Sequence, residues 1–425
     1  MKPQETERNA MSKKPKESWL DSKIHIVTGV VVLAVIAAVV VVVLTGKPGS
    51  TDANSTQSGA FDNVNIDYSS TFPSWNHESK ALSELVQYVA QATDESNENY
   101  VKPEDRIATF DMDGTILCEK APVYVDYCLT MHRVLDDPSY EADEESHDAM
   151  EQIRDYAYTY GGTNPEQDPD KARLVASAFA GMTPEEFRSY VVNFADSTQA
   201  VGFEGMTYGQ SFYKPMLEVI EYLRANDFDV WMVSACEREV VRALVDRLHI
   251  PLDHVIATDV QFNATNQGEE AAADHTMGQD EKIVLGEPLL DETAKTGKCI
   301  AIAREIGKYP VLAFGNSSGD YAMLNYAESN PHYKGMGMLV VADDTEREYG
   351  DTAKAEGIYQ IVATENWTGI SMKNDWSTIY GEGVKKTQLP RANEAAQEES
   401  SSESESDESS EEASQGEEGE YAEAA

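Results

Sequence analysis

Apolar and polar positions follow two different periods along this chain, and the two periods alternate between residues 79 and 342. Short apolar runs typical of buried strands lie at 106–110, 229–234, 254–258, 310–314 and 338–342. Segments with helical spacing lie at 79–92, 216–225, 238–249, from about Gly297 onward, and at 319–328. Strands that alternate with helices predict an α/β fold, in which helices cover both faces of a Rossmann-like, doubly wound parallel sheet.

Residues 122–212 interrupt this alternation. The block has a helical character and is rich in aromatic and acidic side chains. A large helical insertion directly after a first strand is typical of a cap that closes over a site. We therefore predict a helical cap at 122–212, inserted into a core that consists of residues 76–121 and 213–385.

An almost uninterrupted apolar run at 24–44 has the length that a membrane-spanning helix needs. A cleaved signal peptide is the alternative, but Thr-Gly-Lys follows at 45–47 instead of an Ala-x-Ala cleavage site. Six basic residues lie before the run, within residues 1–23, and positive charge marks the cytoplasmic side. These features predict a single-pass protein of the cell membrane. Its N-terminus would lie in the cytoplasm, and a tether at 45–75 would join the span to a folded part outside.

The formal net charge of -43 excludes nucleic acid as a partner, because phosphate backbones require a basic surface. Part of the excess lies in residues 391–425, which carry 13 acidic side chains against the single basic residue Arg391. We predict that the Ser/Glu-rich stretch 386–425 is a disordered acidic tail, since it has too few apolar side chains to fold. A cation-binding tail is the alternative. The four cysteines show no Cys-x-x-Cys spacing, so a disulfide framework is not indicated.

The candidate chemistry lies where predicted strands end, which in open parallel sheets is where ligands bind. Four signals fall at such ends or at the start of a helix: Asp111 with Asp113, Ser234, Lys298, and Asn316 with Asp320. A calcium loop would explain the first pair, but an EF-hand requires Gly and Glu where this chain has Ile116 and Pro122. A surface turn is the other alternative, and the apolar strand before Asp111 argues against it.

Together these side chains supply the parts that phosphoryl transfer needs. Asp111 can attack phosphorus to form an aspartyl phosphate. Asp113 can protonate the leaving oxygen and then activate water. Ser234 and Lys298 can hold the phosphoryl oxygens, with Lys295 as the alternative to Lys298.

A hard cation is the remaining component that phosphoryl transfer needs. Mg²⁺ prefers oxygen ligands, which in this set are Asp111, the backbone carbonyl of Asp113, and Asn316 or Asp320. We therefore predict Mg²⁺ as the cofactor, and the choice between the last two ligands stays open.

In order and rough spacing, the four signals resemble the four motifs of the haloacid dehalogenase-like (HAD) superfamily. The matching segments are DMDGT (111–115), VSA (233–235), TGKCIAI (296–302) and GNSSGD (315–320). The resemblance covers about residues 100–345, and it implies a HAD core with the insertion as a C1-type cap. Aspartate at both places of motif I is the phosphatase version, since dehalogenases of the superfamily lack the second one. Family phosphatases often carry Asp where this chain has Asn316.

The layout is similar to the phosphoserine and phosphocholine phosphatase branches, including the segment SACERE after motif II. This similarity implies a small phosphorylated substrate, with an amine or choline group as its candidate feature. Its expected contacts are Thr115, Ser234 and Glu119, although Glu119 stands one residue short of the family spacing. We expect a membrane-anchored, exported phosphomonoesterase. The alternatives are a surface-displayed binding protein that keeps the fold without turnover, and a phosphotransferase.

Overall fold

The computed structural model describes residues 66–164, 171–289 and 292–392. Several predicted segments lie outside the described residues: the span at 24–44, the segment before it, the part of the tether (45–75) up to residue 65, and the part of the acidic tail (386–425) from residue 393 onward. Within the described ranges, no helix is both long and apolar enough to cross a membrane.

A six-stranded parallel sheet forms the centre of the described protein. With strands numbered along the chain, its spatial order is β4 (Val255–Thr258), β3 (Asp229–Glu237), β1 (Ile107–Phe110), β7 (Leu312–Gly315), β8 (Met336–Val341) and β9 (Thr368–Ser371). The first strand in sequence lies in the middle, between two strands that come much later. The doubly wound α/β fold is therefore confirmed.

Side chains of each inner strand alternate between two apolar layers, as the period of a strand requires. Leu312 and Phe314 join the larger layer, while Ala313 between them faces the smaller one. All four residues of β1 are buried, and the ring of Phe110 stacks on that of Phe314 at a centroid distance of 4.2 Å. Apolar residues on both faces explain why these strands appear in the sequence as continuous apolar runs.

Helices cover both layers. In chain order they are α1 (Tyr68–Thr71), α2 (Lys80–Thr93), α3 (Val125–Met131), α4 (Glu144–Tyr160), α5 (Lys171–Phe179), α6 (Pro184–Ser197), α7 (Lys214–Ala225), α8 (Arg238–Val245), α9 (Thr296–Glu305), α10 (Tyr321–Glu328) and α11 (Thr352–Glu365). Helices α2, α7 and α8 contribute apolar residues to the larger layer, and α9, α10 and α11 to the smaller one. The five strands and five helices predicted from the pattern are all present.

The block at 122–212 is helical, as predicted, and it contains α3 to α6. Its helix α6 shows how the sequence sets local structure. Thr183 and Glu186 form a reciprocal capping box around Pro184, which begins the helix. Phe187, Val191 and Phe194 then follow at helical spacing and are buried.

Two further strand pairs connect the cap with later parts of the chain. The hairpin of β5 (Val260–Ala264) and β6 (Ile283–Leu289) reaches the cap, where Leu285 exchanges backbone hydrogen bonds of 2.8 Å with Gly181 and Met182. Strand β10 (Lys385–Lys386) pairs antiparallel with β2 (Phe203–Glu204). The sequence pattern did not predict these pairs, β9 or α11.

Trp376 joins the two ends of the described chain. Its ring packs edge-on against Trp75 at 6.3 Å and lies 5.4 Å from the ring of Tyr213, and its side chain is almost fully buried. Trp376 therefore holds together three segments of the chain, around Trp75, Tyr213 and Trp376 itself.

We expect Trp376→Ala to lower the free energy of unfolding by about 3–5 kcal/mol, since it leaves a large cavity in the core. Urea unfolding of the purified protein measures this loss. The control is Ile300→Ala, because Ile300 is 59% exposed, and its effect should stay within about 0.5 kcal/mol. Equal effects of the two changes would contradict the described packing.

Candidate functional site

The predicted site residues converge at the carboxyl edge of the sheet, beside its central strand. Strand β1 has β3 on one side and β7 on the other, so the chain leaves in opposite directions from neighbouring strands. Such a reversal opens a crevice between the loops that follow the strands. Asp111 is the first residue after β1, and its N–H donates to the carbonyl of Phe314 at 2.9 Å. This bond places Asp111 beside the loop that follows β7.

Lys298 is the cation of the site. Its Nζ lies 2.6 Å from Oδ1 of Asp111 and 2.7 Å from Oδ1 of Asp320, and the side chain is 1% exposed. Lys295, the alternative considered from the sequence, is exposed and precedes α9 with a positive φ of 51°. The structure therefore brings Lys298, and not Lys295, to the two carboxylates.

Asp320 holds the loop after β7 as well as the lysine. Its Oδ2 accepts hydrogen bonds from the N–H groups of Asn316 at 3.0 Å and Ser317 at 3.1 Å. Both of its oxygens are thus engaged, one by an ammonium group and one by the backbone. This arrangement fixes where Asn316 stands.

Glycine at position 114 makes room for that asparagine. Gly114 has a φ of +76°, and a Cβ built there would lie 1.8 Å from Nδ2 of Asn316. Only glycine meets both requirements without strain. Thr115 follows, and its hydroxyl donates to Oδ2 of Asp111 at 3.2 Å. The sequence DMDGT therefore serves packing as well as chemistry.

Asp113 and Ser234 complete the predicted set. Asp113 is half-buried in a tight loop, where its backbone pairs with that of Leu117. Ser234 lies within β3 and is buried, and its Oγ accepts a hydrogen bond of 3.1 Å from the N–H of Cys236. Ala235, between Ser234 and Cys236, is exposed, so the crevice opens to solvent at this point.

Burial and charge set the protonation of the site. The pKa of Asp111 is raised to about 7, because burial and the nearby charge of Asp320 raise it by more than Lys298 lowers it. Burial also disfavours the charge of Lys298, but the two carboxylates outweigh that effect and hold its pKa above the usual value. The lysine is therefore charged at neutral pH, while Asp111 is close to its titration point.

Glu119 is partly exposed and already has partners. Its Oε1 is 3.5 Å from Nζ of Lys354 on α11, and the hydroxyl of Tyr124 donates to it at 3.4 Å. Sequence reasoning missed Lys354, because it lies outside the four motifs. It also missed Glu348, a buried carboxylate next to Cys118 for which the motif pattern gives no signal.

Two observations indicate that the oxygen ligands of the site suit a hard cation. The side chain of Asn316 occupies the space that the missing Cβ of Gly114 leaves, next to the loop that carries Asp111 and Asp113. The carboxylate of Asp111 is an oxygen ligand of the type that Mg²⁺ prefers. Within the described residues, no cluster of three or more His, Cys, Asp or Glu side chains is placed to hold a metal. A ligand set with one backbone carbonyl and one amide needs no such cluster.

Comparison with known proteins agrees with this geometry. The profile of the haloacid dehalogenase-like hydrolases matches residues 108–325, which is slightly more than half of the chain. The chain belongs to this family, and its class is therefore that of a hydrolase. No protein of curated function matches the sequence.

Solved structures of similar fold are distant in sequence. A functionally unknown protein from Anaerococcus prevotii is 15% identical with a TM-score of 0.44, covering 70% of this chain and 92% of its own. A protein of unknown function from Bordetella pertussis is 15% identical with a TM-score of 0.39, covering 62% and 97%. A phosphoserine phosphohydrolase-like protein from Francisella tularensis is 12% identical with a TM-score of 0.36, covering 63% and 95%. Similarities at this level carry no information about the substrate.

The raised pKa of Asp111 predicts a pH-dependent stability. An isolated carboxyl loses its proton near 3.8, and this one near 7 in the folded protein. Between these values the folded state binds more protons than the unfolded state, so stability falls as pH rises. We expect Asp111→Asn to gain stability relative to the wild type from pH 5 to pH 8, by about 1–3 kcal/mol. Urea unfolding in metal-free buffer at both pH values measures this gain.

The control for this experiment is Asp253→Asn, which changes an exposed carboxyl outside the site. Its stability relative to the wild type should be the same at both pH values. An equal difference at pH 5 and pH 8 for Asp111→Asn would contradict the described burial of Asp111.

Proposed function

We propose that this protein is a Mg²⁺-dependent phosphomonoesterase that works through an aspartyl phosphate on Asp111. The observation that carries the proposal is the buried contact of Lys298 with Asp111 and Asp320, with Asp113 two residues beyond the nucleophile. A lysine in this place can neutralise the charge of a phosphoryl group beside the carboxylate that attacks it. Membership of the hydrolase family supports the same reaction class.

The reaction proceeds in two steps. A carboxylate oxygen of Asp111 attacks phosphorus, and the bond from phosphorus to the ester oxygen breaks as Asp113 gives that oxygen its proton. Asp113 then removes a proton from a water molecule, which attacks phosphorus and releases inorganic phosphate from Asp111. Ser234 and Lys298 hold the phosphoryl oxygens in both steps. The hydroxyl of Thr115 keeps the carboxylate of Asp111 oriented.

Mg²⁺, when bound, would offset negative charge between the phosphoryl group and the aspartates. Its proposed protein ligands are the carboxylate of Asp111, the backbone carbonyl of Asp113 and the side chain of Asn316. Asp320 remains the alternative to Asn316. We favour Asn316 as the direct one, because both oxygens of Asp320 accept hydrogen bonds from protein donors.

The proposed substrate is a small phosphate ester with an amine or choline group. A helical cap next to the crevice favours a small ester over a large protein substrate. Glu119 would supply a negative charge, and the neighbouring Tyr124 an aromatic face for a quaternary ammonium group. Lys354 shares Glu119, so the amine of a substrate would compete with this lysine.

We expect full-length protein in detergent to release phosphate from at least one small ester in Mg²⁺ but not in EDTA. Asp111→Asn should lose about 10³-fold or more in kcat, since it removes the nucleophile. The assay covers a panel of esters with and without amine groups. Turnover that persists in Asp111→Asn would contradict the mechanism. No release from any ester by the wild type would favour a phosphotransferase or a binding protein.

The two lysines provide a matched control for this assay. Lys298→Met removes the buried ammonium group and should reduce kcat about as strongly as Asp111→Asn. Lys295→Met changes an exposed lysine three residues earlier and should leave kcat within about threefold. The reverse order of effects would assign the phosphoryl contact to Lys295.

We further propose that residues 24–44 anchor the enzyme in the cell membrane, with the catalytic part outside. The support is the apolar length of the segment and the basic residues that precede it.

A tag after residue 425 should bind antibody on intact cells, and a tag before residue 1 only after permeabilisation. Deletion of 24–44 should move the protein out of the membrane fraction. The opposite accessibility of the two tags would overturn the proposed orientation.

A further inference from the structure

We propose that Glu348 is a positioning residue that holds the motif I loop, defined here as residues 111–119, and thereby keeps Asp113 in place to protonate the leaving group. The inference rests on the proposed function. Glu348 lies outside the four motifs and touches none of their charged side chains among the contacts described. Its effect on the reaction would pass through Cys118.

Three donors converge on the buried carboxylate of Glu348, which is 3% exposed. The hydroxyl of Tyr380 donates to Oε2, and the N–H of Tyr349 donates to Oε1 at 2.7 Å. The thiol of Cys118 is the third donor, with its sulfur 3.6 Å and 3.7 Å from the two oxygens. Two of these donors, Cys118 and Tyr380, come from segments distant in sequence, while Tyr349 is the residue next to Glu348.

Cys118 connects Glu348 to the rest of the motif I loop. Its backbone N–H donates to Ser211 at 2.9 Å, which fixes the main chain on the outer side. Leu117, the residue before it, pairs with Asp113 and accepts a hydrogen bond of 2.7 Å from the N–H of Gly114. This bridge and this hydrogen bond thus join the segment of Asp113 to Leu117, the residue next to Cys118. Movement of Cys118 would displace Asp113.

The opposite side of Glu348 is fixed by the C-terminal part of the described chain. Nζ of Lys386, in β10, donates to the carbonyl of Glu348 at 2.9 Å and to that of Thr345 at 2.8 Å. Strand β10 also pairs with β2 at the base of the cap. Glu348 therefore has a rigid support from which to hold the loop.

A carboxylate suits this position better than an amide. All three partners are donors, and an amide in the same place would turn its NH₂ group toward one of them. The carboxylate is expensive to bury, since burial raises the pKa of Glu348 to about 7 despite the hydrogen bond from Tyr380. An apolar residue would fill the space at lower cost, so the acid suggests a role other than packing.

The test uses the leaving group. An alkyl phosphate needs a proton from Asp113 as its alcohol departs, whereas p-nitrophenyl phosphate has a leaving group stable without one. We expect Glu348→Gln to lower kcat/KM by about 10- to 100-fold for the alkyl ester and by less than about threefold for the nitrophenyl ester. Asp113→Asn should show the same pattern more strongly. The ratio kcat/KM is chosen because it reports the step in which the ester bond breaks.

Asp344→Asn is the matched control. Asp344 lies in the same loop and is equally buried at 3% exposure, but its described bonds go to Glu346 and Arg347. It should change kcat/KM for the two esters by the same factor. If Glu348→Gln also lowers both by the same factor, or lowers neither, the inference is wrong.

A second pair of variants covers the case in which Glu348→Gln fails to fold. Cys118→Ala removes the thiol donor, while Cys118→Ser retains a donor in its place. The selective loss on the alkyl ester should appear in the alanine variant and be rescued in the serine variant. Equal behaviour of the two variants would overturn the inference. Failure of the wild type to hydrolyse any ester would refute the proposed function instead, so the two failures are distinguishable.

Discussion

The ammonium group of Lys298, buried between the carboxylates of Asp111 and Asp320, is the interaction on which the site depends. Three elements must be placed for it to form: the end of β1, the start of α9 and the loop after β7. Removing one partner of a buried ion pair leaves a charge without compensation, which typically costs about 3–5 kcal/mol. The same contact that assembles the site therefore also makes its residues hard to replace. Its geometry suits a phosphoryl group, whose charge would take the place of part of the carboxylate interaction.

The sheet supplies this contact because its strand order reverses at β1. Neighbours β3 and β7 bring Ser234 and the Asp320 loop to one edge, although the chain visits them far apart in sequence. We propose that selection of a substrate belongs to other parts of the molecule, namely the helical cap with Glu119 and Lys354. The hairpin at Leu285 and strand β10 both bond to the cap. The cap is thus supported by the core at more than one point, which limits how freely it can move relative to the crevice.

Much of this arrangement could be predicted from the sequence, because the signals are local. Buried strands such as β1 and β7 have apolar residues on both faces, and their runs end at the polar residues of the site. A short motif such as DMDGT also carries its own backbone requirement, as the positive φ of Gly114 shows. The preference for Lys298 over Lys295 followed from the start of a helix, which fixes which side chain points inward. The proposed anchor at 24–44 and the part of the predicted tail from residue 393 onward rest on the sequence alone, since both lie outside the described residues.

The sequence by itself therefore determined membership of the hydrolase family, the main strands and helices, and the polar residues at the strand ends. Each of these depends on neighbours within a few positions. Tertiary structure alone decided what depends on contacts between distant segments. The hairpin of β5 and β6 has an exposed Phe262 and a long connection, so its strand period is weak in the sequence. In the sequence, nothing distinguishes Glu348 from other acidic residues. The fold brings Cys118 and Tyr380 to its carboxylate, beside its neighbour Tyr349. A buried carboxylate is defined by the donors that meet it, and chain folding is what brings those donors together.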